Sequence, residues 1–556
     1  TTSSNNTGIG NNALGGNILG SYNVAIGKDS LEEMNPATAV NMYNVAVGAA
    51  AGQKVTTGVE NTIVGGLAGD ALTDADYNVA IGYGALSSDT LGSRSVAIGR
   101  NALIAQNFTT ATASNNTAVG YEAGRSTTTG IDNVLYGSNA GYALTDADDN
   151  VALGRSALAT DTLGSKSTAV GNGALNAQNF TTATDTYNTA VGYATGNTLI
   201  GAAAGDVLTD GDSNVAVGLA ALGSDTRGNF SVAIGVAALN SSNTTNDTNM
   251  YNVAVGHAAG QLLTTGTHNT LIGGAAGDAL TTGASNVAVG YGALTTDDVG
   301  QWNVAIGRDA LSAQNIATAA NTYNTAVGGA AGGAVTTGVS NTLIGGLSGD
   351  ALTDADQNVA LGYAALSSDT LGSNSVAIGY AALVAQNFTT ATNSYNTAVG
   401  ASAGGAVTTG VQNTIMGGLA GDALNTGENN TAYGVSALGA DTKGDLSVAI
   451  GHSALSSQNF TTNTDSYNVA VGASAGLSVT TGVANTLIGG RAGDALTDAD
   501  YNLAIGRDAL GSDTLGSRSV ALGHDTLAAQ NFTTATDAYN VAIGYSAGTA
   551  MTTGIR

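Results

Sequence analysis

The stretch Asn78-Val-Ala-Ile-Gly-Tyr-Gly-Ala-Leu86 opens with a five-residue phrase, Asn-(Val/Thr)-Ala-(Ile/Val)-Gly, that recurs along all 556 residues of the chain. Self-similarity at a fixed short period is the signature of a repeat protein. Each step of the period is expected to form one coil of a solenoid. Successive phrases begin at intervals of 17, 17, 17 and 21, which together define a super-repeat with a period of 72. The phrases of one super-repeat and the start of the next are at Asn44, Asn61, Asn78, Ser95 and Asn116.

The super-repeat is copied along the chain without a change in composition. Copies start near residues 44, 116, 188, 252, 324, 396, 468 and 540, and about 31 phrases are present. The copy that starts at Asn188 is shortened to a period of 64, because the next phrase begins at Asn197 after only nine residues. A missing half coil is the simplest explanation. We therefore predict one continuous repeat domain, residues 1–556, and expect both termini to be truncated.

Both faces of the predicted strand are free of charge. The alternation of a strand places Val24 and Ile26 on one face and Asn23, Ala25 and Gly27 on the other. An isolated sheet would turn a polar face to water, whereas small and apolar residues on both faces indicate burial on both sides. A second copy of the same periodic surface is the economical cover. The predicted fold is all-β, a parallel β-roll or β-solenoid of about 31 short coils, in a homotrimer that is either intertwined or side by side.

Each coil has two further predicted features. A second apolar segment follows the phrase, as in Tyr83-Gly-Ala-Leu86, so two short strands per coil are expected. The asparagine that opens each phrase should stack on its equivalents and satisfy polar groups inside the stack. With coils about 4.8 Å apart, the chain would form a rod on the order of 150 Å long. We predict this amide ladder for Asn23, Asn44, Asn61, Asn78 and Asn116.

Composition excludes several classes of function. The net charge is -26, with 40 acidic and 14 basic residues, whereas binding to nucleic acids or anionic membranes requires clustered Lys and Arg. The chain has no cysteine, so disulfides and thiolate metal sites are excluded. The sequence contains no run of about 18 apolar residues, so it predicts no membrane span. An acidic chain with one proline fits an exposed structure outside the cell or on a virion.

The search for chemistry gives weak candidates only. Gly400-Ala-Ser-Ala-Gly404 fits a nucleophile motif, but that motif needs a strand-turn-helix setting and a histidine partner. We therefore predict no catalytic residues and no enzyme activity. Asp350, Asp354 and Asp356 recur in sister coils and offer the oxygen ligands that calcium prefers. Solvated turns explain these acids better, so we predict that calcium is not required and that no other cofactor is bound.

Every fourth connection is four residues longer, as in Gln106-Asn-Phe-Thr-Thr-Ala-Thr112, and should form a small flap. The phenylalanine of each flap could stack on a sugar ring and make a surface contact with a host glycan. It could also pin the flap to the rod, which is the favoured interpretation. The flap phenylalanines are Phe108, Phe180, Phe388, Phe460 and Phe532.

The repeats resemble two known groups of fibre proteins. Asn78-Val-Ala-Ile-Gly-Tyr-Gly-Ala-Leu86 and Asn116-Thr-Ala-Val-Gly-Tyr-Glu-Ala-Gly124 are similar to the head repeats of trimeric autotransporter adhesins and to the shafts of bacteriophage tail fibres. The resemblance implies a left-handed parallel β-roll that trimerises. It predicts a structural shaft for host attachment, with a phage tail or virion fibre ahead of a bacterial surface adhesin. A self-polymerising extracellular filament is the third alternative. The partners expected are two further copies of the chain and a host glycan or receptor.

Overall fold

A computed structural model describes residues 3–555 except residues 177, 187, 193–197, 202, 206, 209, 210, 212 and 245. The chain divides into two compact units, Thr1–Thr267 and His268–Arg556. In the described residues both units consist of strands and turns without a helix, which confirms the all-β solenoid.

The main element is a three-residue strand formed by the middle of each phrase. Branched Val, Ile and Thr fill these strands, as their restricted side chains favour an extended backbone. In the described part of the first unit the strands are Thr7–Ile9, Val24–Ile26, Val45–Val47, Thr62–Val64, Val79–Ile81, Val96–Ile98, Thr117–Val119, Val134–Tyr136, Val151–Leu153, Thr168–Val170, Thr189–Val191, Thr198–Ile200, Val215–Val217, Val232–Ile234 and Val253–Val255. In the second unit they are Thr270–Ile272, Val287–Val289, Val304–Ile306, Thr325–Val327, Thr342–Ile344, Val359–Leu361, Val376–Ile378, Thr397–Val399, Thr414–Met416, Thr431–Tyr433, Val448–Ile450, Val469–Val471, Thr486–Ile488, Leu503–Ile505, Val520–Leu522 and Val541–Ile543.

Successive strands within each unit pair in parallel and in register. In the second unit Thr342 pairs with Val359, and Leu343 pairs with Ala360. The turns also form ladders between coils, since the Gly349 N–H donates to Ala365 O at 2.9 Å. Each coil is therefore a complete hydrogen-bonded layer of a solenoid, and the usual step from one layer to the next is 17 residues.

The prediction of two strands in every coil is wrong. The second apolar segment is a run of turns in which Gly84 has φ 65° and Leu86 has φ 54°. The left-handed conformation breaks the extended backbone. Among the described residues, second strands of two residues lie only beside the flaps. They pair in parallel as Gly20–Ser21 with Val40–Asn41, Gly92–Ser93 with Thr112–Ala113, Gly164–Ser165 with Thr184–Asp185, Gly228–Asn229 with Thr248–Asn249, Gly372–Ser373 with Thr392–Asn393, Gly444–Asp445 with Thr464–Asp465, and Gly516–Ser517 with Thr536–Asp537.

The side chains that fill the core differ between coils of one super-repeat. In the coil that begins at Asn341, the strand places Leu343 in the core, and Gly349 leaves room for it. A Cβ added at Gly349 would lie 2.7 Å from Leu343 Cδ2. The next coil reverses the sizes, because its strand contributes Ala360 and its later turn contributes buried Leu366. Large and small side chains thus alternate between facing positions, which gives a close-packed interior.

The shortened super-repeat keeps its strand pairing. Thr189 pairs with Thr198 across a step of nine residues, and Ala190 pairs with Leu199. Asn197, where we placed the start of a phrase, lies outside the described residues. The sheet of the first unit therefore continues through the shortened copy.

Candidate functional site

The phrase asparagines form a buried ladder along the inside of each stack. Asn61 is fully buried, and its side-chain Oδ1 accepts the backbone N–H of Asn78 at 2.9 Å. Its Nδ2 donates to Asn44 Oδ1 at 3.1 Å and to Ala75 O at 2.8 Å. Asn44 continues the ladder to Asn23, whose Oδ1 accepts its N–H at 3.1 Å. The ladder joins side chains to the backbone of the next coil, and contacts between amides are only one part of it.

Asn116 occupies the same position after a flap and has an additional partner. Its Nδ2 donates to Gly130 O at 2.7 Å and to Gln106 Oε1 at 2.9 Å, while its Oδ1 accepts the N–H of Asn133 at 2.9 Å. All five predicted ladder residues are therefore buried and fully hydrogen-bonded within the stack. Their role in this arrangement is structural.

A buried carboxylate beside every flap after the first is the feature that sequence reasoning missed. Asp369 is fully buried and accepts Gln386 Nε2 at 2.6 Å, as well as the N–H groups of Gly372 and Phe388, each at 3.1 Å. Gln386 also donates to Ser375 Oγ at 2.8 Å. A charge in a small-residue core requires such partners, because an unpaired buried carboxylate is strongly unfavourable. The carboxylate thus fixes the start of the flap.

The first super-repeat shows how this cluster varies. Met34 stands where most later copies have the glutamine, and Met42 stands at the position of Ser394, whose hydroxyl contacts that of Ser375. Both methionines are fully buried. The acid is replaced there by Asn17, which bonds to the backbone of Gly20 through both Oδ1 and Nδ2, at 2.8 and 2.9 Å. The buried acid is therefore absent from the first super-repeat, which lacks its glutamine donor. The acid and the glutamine lie one coil apart and are replaced together there, and this joint replacement is the sequence signal from which the cluster could have been found.

The substitution Gln386→Met should destabilise the flap by roughly 2–4 kcal/mol, because the carboxylate of Asp369 loses its side-chain donor while it stays buried. The double variant Asp369→Asn/Gln386→Met reproduces the natural pair of the first super-repeat and should recover at least half of that loss. Thermal melting followed by circular dichroism measures both variants. Equal losses in the single and double variants would contradict this account.

Burial also affects the titration of several acids. Desolvation raises the pKa of Asp297 above its ordinary value of 3.8, against the lowering effect of hydrogen bonds from Gly300 and Gln314. Desolvation likewise raises the pKa of Asp70, Asp350 and Asp494. At these four positions the folded chain therefore binds more protons than the unfolded chain in the range just above pH 3.8. Protonation of these acids therefore adds to the free energy of unfolding. This contribution is fully present below pH 3.8 and is lost as the pH rises through the raised folded-state pKa values.

We accordingly expect the melting temperature to increase as the pH falls from 7 toward 4.5. Partial neutralisation of the net charge of -26 acts in the same direction. The measurement is thermal melting at constant ionic strength across this range. The variant Asp297→Asn should show a smaller dependence on pH, and a melting temperature that falls on mild acidification would contradict the prediction.

The burial of the flap phenylalanines agrees with the favoured pinning interpretation and argues against the alternative of a surface contact. Phe108, Phe388, Phe460 and Phe532 are only 5–6% exposed, so their ring faces cannot stack on a sugar. They pack under the flap because the polar backbone around them is held by the buried carboxylate. Phe180 is half-buried and borders a cavity of about 250 Å³, which Thr184, Asp185 and Asn188 also line.

The candidate calcium ligands do not converge. Asp354 Oδ1 accepts Thr337 Oγ1 at 2.5 Å, and Asp356 Oδ1 accepts the Val339 N–H at 2.8 Å. Asp350 turns one buried carboxylate oxygen toward no hydrogen-bond partner. Among described residues, the group of three close metal-ligating side chains is a different one, Asp508, His524 and Asp525. Asp350, Asp354 and Asp356 are therefore separate turn residues and do not form one ligand group.

The Asp508 group already has cationic partners. Arg491 lies 2.7 Å from one oxygen of Asp508, and Arg507 lies 3.4 Å from the other. Arg507 Nε also donates to His524 Nε2 at 2.9 Å. We therefore expect the melting temperature with excess EGTA to equal that with millimolar calcium. A large fall on chelation would show that a calcium site stabilises the fold.

The nucleophile motif lies in the wrong setting for hydrolysis. Ser402 has φ 53° in turns that follow the strand Thr397–Val399, and the described residues after it form further turns. Its N–H donates to Tyr380 O at 2.8 Å. The same positive φ recurs at the equivalent described residues of other coils, such as Leu347 and Ala364. A non-enzymatic role stays a prediction.

The outer face of each sheet is the main exposed apolar surface. We call the first and third side chains of the three-residue strands the outer strip. Ile344 is 36% exposed, Leu361 is 42% exposed and Tyr433 is 54% exposed, while the middle residues of their strands are fully buried. Aromatic side chains flank the strip at the residue before the phrase, such as Trp302, which stacks on Tyr323 at 6.4 Å. A soluble monomer rarely exposes a contiguous apolar surface of this kind.

Neither a scan against models of protein families nor a search of curated protein sequences gives a match to this chain. Within the residues that the structure describes, no helix has the length and apolar character needed to cross a membrane.

Proposed function

We propose that this chain is the structural shaft of a homotrimeric fibre that holds a receptor-binding part away from a virion or a cell. The observation that carries the proposal is the outer strip, which recurs with every coil in each unit. Burial of a half-exposed aliphatic side chain contributes on the order of 1 kcal/mol, so a strip of many coils favours association strongly. The small side chains of the core serve the stacking of coils.

The geometry of the outer strip supports the proposal of a trimer. Each strand presents two outward columns, one of first residues and one of third residues, separated by the inward middle residue. In a threefold arrangement each copy meets two neighbours, so each column can face one of them. Equal repeat lengths keep the columns of the copies in register. Three copies are therefore favoured over two.

The biological context is proposed on the resemblance of the repeats. A phage tail or virion fibre stays the first proposal, and a surface adhesin similar to trimeric autotransporters is the second. A self-polymerising extracellular filament is supported by the exposed backbone that any terminal coil of such a stack presents. All three place the chain outside the cell, where it acts without a cofactor.

The absence of cysteine from the sequence allows a direct test. Native mass spectrometry should give three times the 54.0 kDa of one chain, and cryo-electron microscopy should show threefold symmetry. In the variant Ile344→Cys, copies should be joined by a short thiol crosslinker, because Ile344 lies on the strip. The matched variant Thr389→Cys places the thiol on an exposed flap and should stay uncrosslinked. A native mass equal to that of a single chain would refute the trimeric shaft, and joined, continuous stacks would favour the filament.

A further inference from the structure

Five flaps begin with the tripeptide Asn-Phe-Thr. An asparagine followed by any residue but proline and then by Ser or Thr is the acceptor motif for N-linked glycans, and such acceptors lie on surface loops of exported proteins. Asparagine and threonine are abundant in this chain, so the motif alone carries little weight. The flap asparagines of this motif are Asn107, Asn179, Asn387, Asn459 and Asn531.

The flap holds the tripeptide in one geometry. Asn387 and Thr389 are exposed, while Phe388 between them is 5% exposed and anchors the backbone. Thr370, one coil earlier, shares its hydroxyl hydrogen between two acceptors, Phe388 O at 2.8 Å and Asn387 Oδ1 at 3.2 Å. In the described residues the Nδ2 of Asn387 has no hydrogen-bond partner. The amide oxygen is therefore fixed and the amide nitrogen faces solvent.

The same contact is present in all five flaps. The threonine hydroxyl lies 3.0–3.2 Å from the asparagine Oδ1 in each of them. The donors are Thr90, Thr162, Thr370, Thr442 and Thr514, each one coil before its asparagine. A geometry repeated five times is a property of the flap and not of one loop.

The acceptor lies on the side of the coil away from the outer strip. In the coil that begins at Ser375, Asn387 comes ten residues after the strand centre Ala377, in a circuit of 21 residues. Half a circuit separates them, so a group attached to Asn387 would extend away from the sheet face. Copies could associate through the strip while the flaps stay free.

We propose that Asn107, Asn179, Asn387, Asn459 and Asn531 are N-glycosylation sites. The donor would be an oligosaccharide linked to a polyisoprenyl phosphate or pyrophosphate. The asparagine Nδ2 forms a bond to C1 of the first sugar and loses one proton, while the bond between C1 and the phosphate oxygen breaks and the lipid phosphate leaves. No oxidation is involved. Within each run of adjacent copies the glycans would be about 19 Å apart, one per four coils.

Three natural sites in the chain serve as controls. The flap at Asn315 exposes its asparagine but has Ala317 in place of the hydroxyl residue, and the flap at Asn35 has Pro36 at the forbidden position. Asn115 begins a matching tripeptide at a strand entry, yet its Nδ2 donates to Asp132 Oδ1 at 2.9 Å. We expect Asn35, Asn115 and Asn315 to carry no glycan.

The test is glycopeptide mass spectrometry of the chain purified from its native source. Peptides that contain the five flap asparagines should carry hexose or N-acetylhexosamine masses, and control peptides should not. In the native host, Thr389→Val should abolish modification of Asn387 alone, and Thr389→Ser should retain it. Unmodified flap peptides would overturn the proposal, as would equal modification of Asn115. The proposal is independent of the trimeric shaft, whose test is stoichiometry, and modification would favour an exported adhesin or filament over a virion fibre.

Discussion

The substitution Gly328→Ala should destabilise its coil by about 3 kcal/mol or more. Gly328 ends its phrase with φ 140°, a conformation that L-residues rarely adopt. An ideal Cβ at this position would lie 2.4 Å from the backbone oxygen of Gly345 in the next coil. Neither the backbone angle nor the neighbouring carbonyl can adjust without breaking the ladder.

The adjacent residue supplies a matched control. A Cβ added at Gly329 would meet no atom within 4 Å, and its φ is not in the left-handed region, so Gly329→Ala should change stability by less than about 0.5 kcal/mol. Because each coil contacts only its neighbours, the damage from Gly328→Ala should be local. Hydrogen exchange should therefore show lost protection at the amides of Thr325, Thr342 and Gly345. Protection equal to wild type at these amides would refute the steric argument.

This glycine column also explains why the fold could be predicted from the phrase. A residue type that recurs at one position in every coil reports a backbone constraint, and the alternation of Val24, Ala25 and Ile26 defines the strand around it. Strand position, parallel stacking and inward asparagines all follow from such local patterns. Within each unit the structure places these residues where the period predicts them.

Two features of the fold could not be predicted from the sequence, and each has a physical reason. Leu366 adopts φ 56° in the second segment, and leucine carries no sequence signal for a left-handed turn. Its conformation is imposed by the packing of the coil. Asp369 and Gln386 are in contact although they lie one coil apart in the sequence. In a repeat protein every pair of positions with this spacing recurs, so recurrence alone does not identify the pair that is in contact. The proposed function depends on contacts between copies, which a single chain does not contain.

The second large effect is expected for Asn341→Asp, which should cost roughly 3–5 kcal/mol at neutral pH. Asn341 is fully buried, and its Oδ1 accepts the Asn358 N–H at 3.0 Å. Its Nδ2 donates to Ala355 O at 2.8 Å, so a carboxylate would place an oxygen against that carbonyl with no proton between them. The variant keeps the acceptor and the shape of the side chain, and it loses only the donor.

Acid should separate this explanation from a loss of packing. Once protonated, the carboxyl at position 341 can donate to Ala355 O, so the difference in melting temperature between Asn341→Asp and wild type should shrink as the pH falls from 7 toward 4.5. The control Asn425→Asp changes an exposed amide whose Oδ1 accepts Thr408 Oγ1, and it should differ little from wild type at any pH. If the deficit of Asn341→Asp stayed constant with pH, shape and not the missing proton would control the ladder. A pH-dependent recovery would instead show that Asn341 stabilises the stack by donating and accepting at once, which a carboxylate of the same shape cannot do.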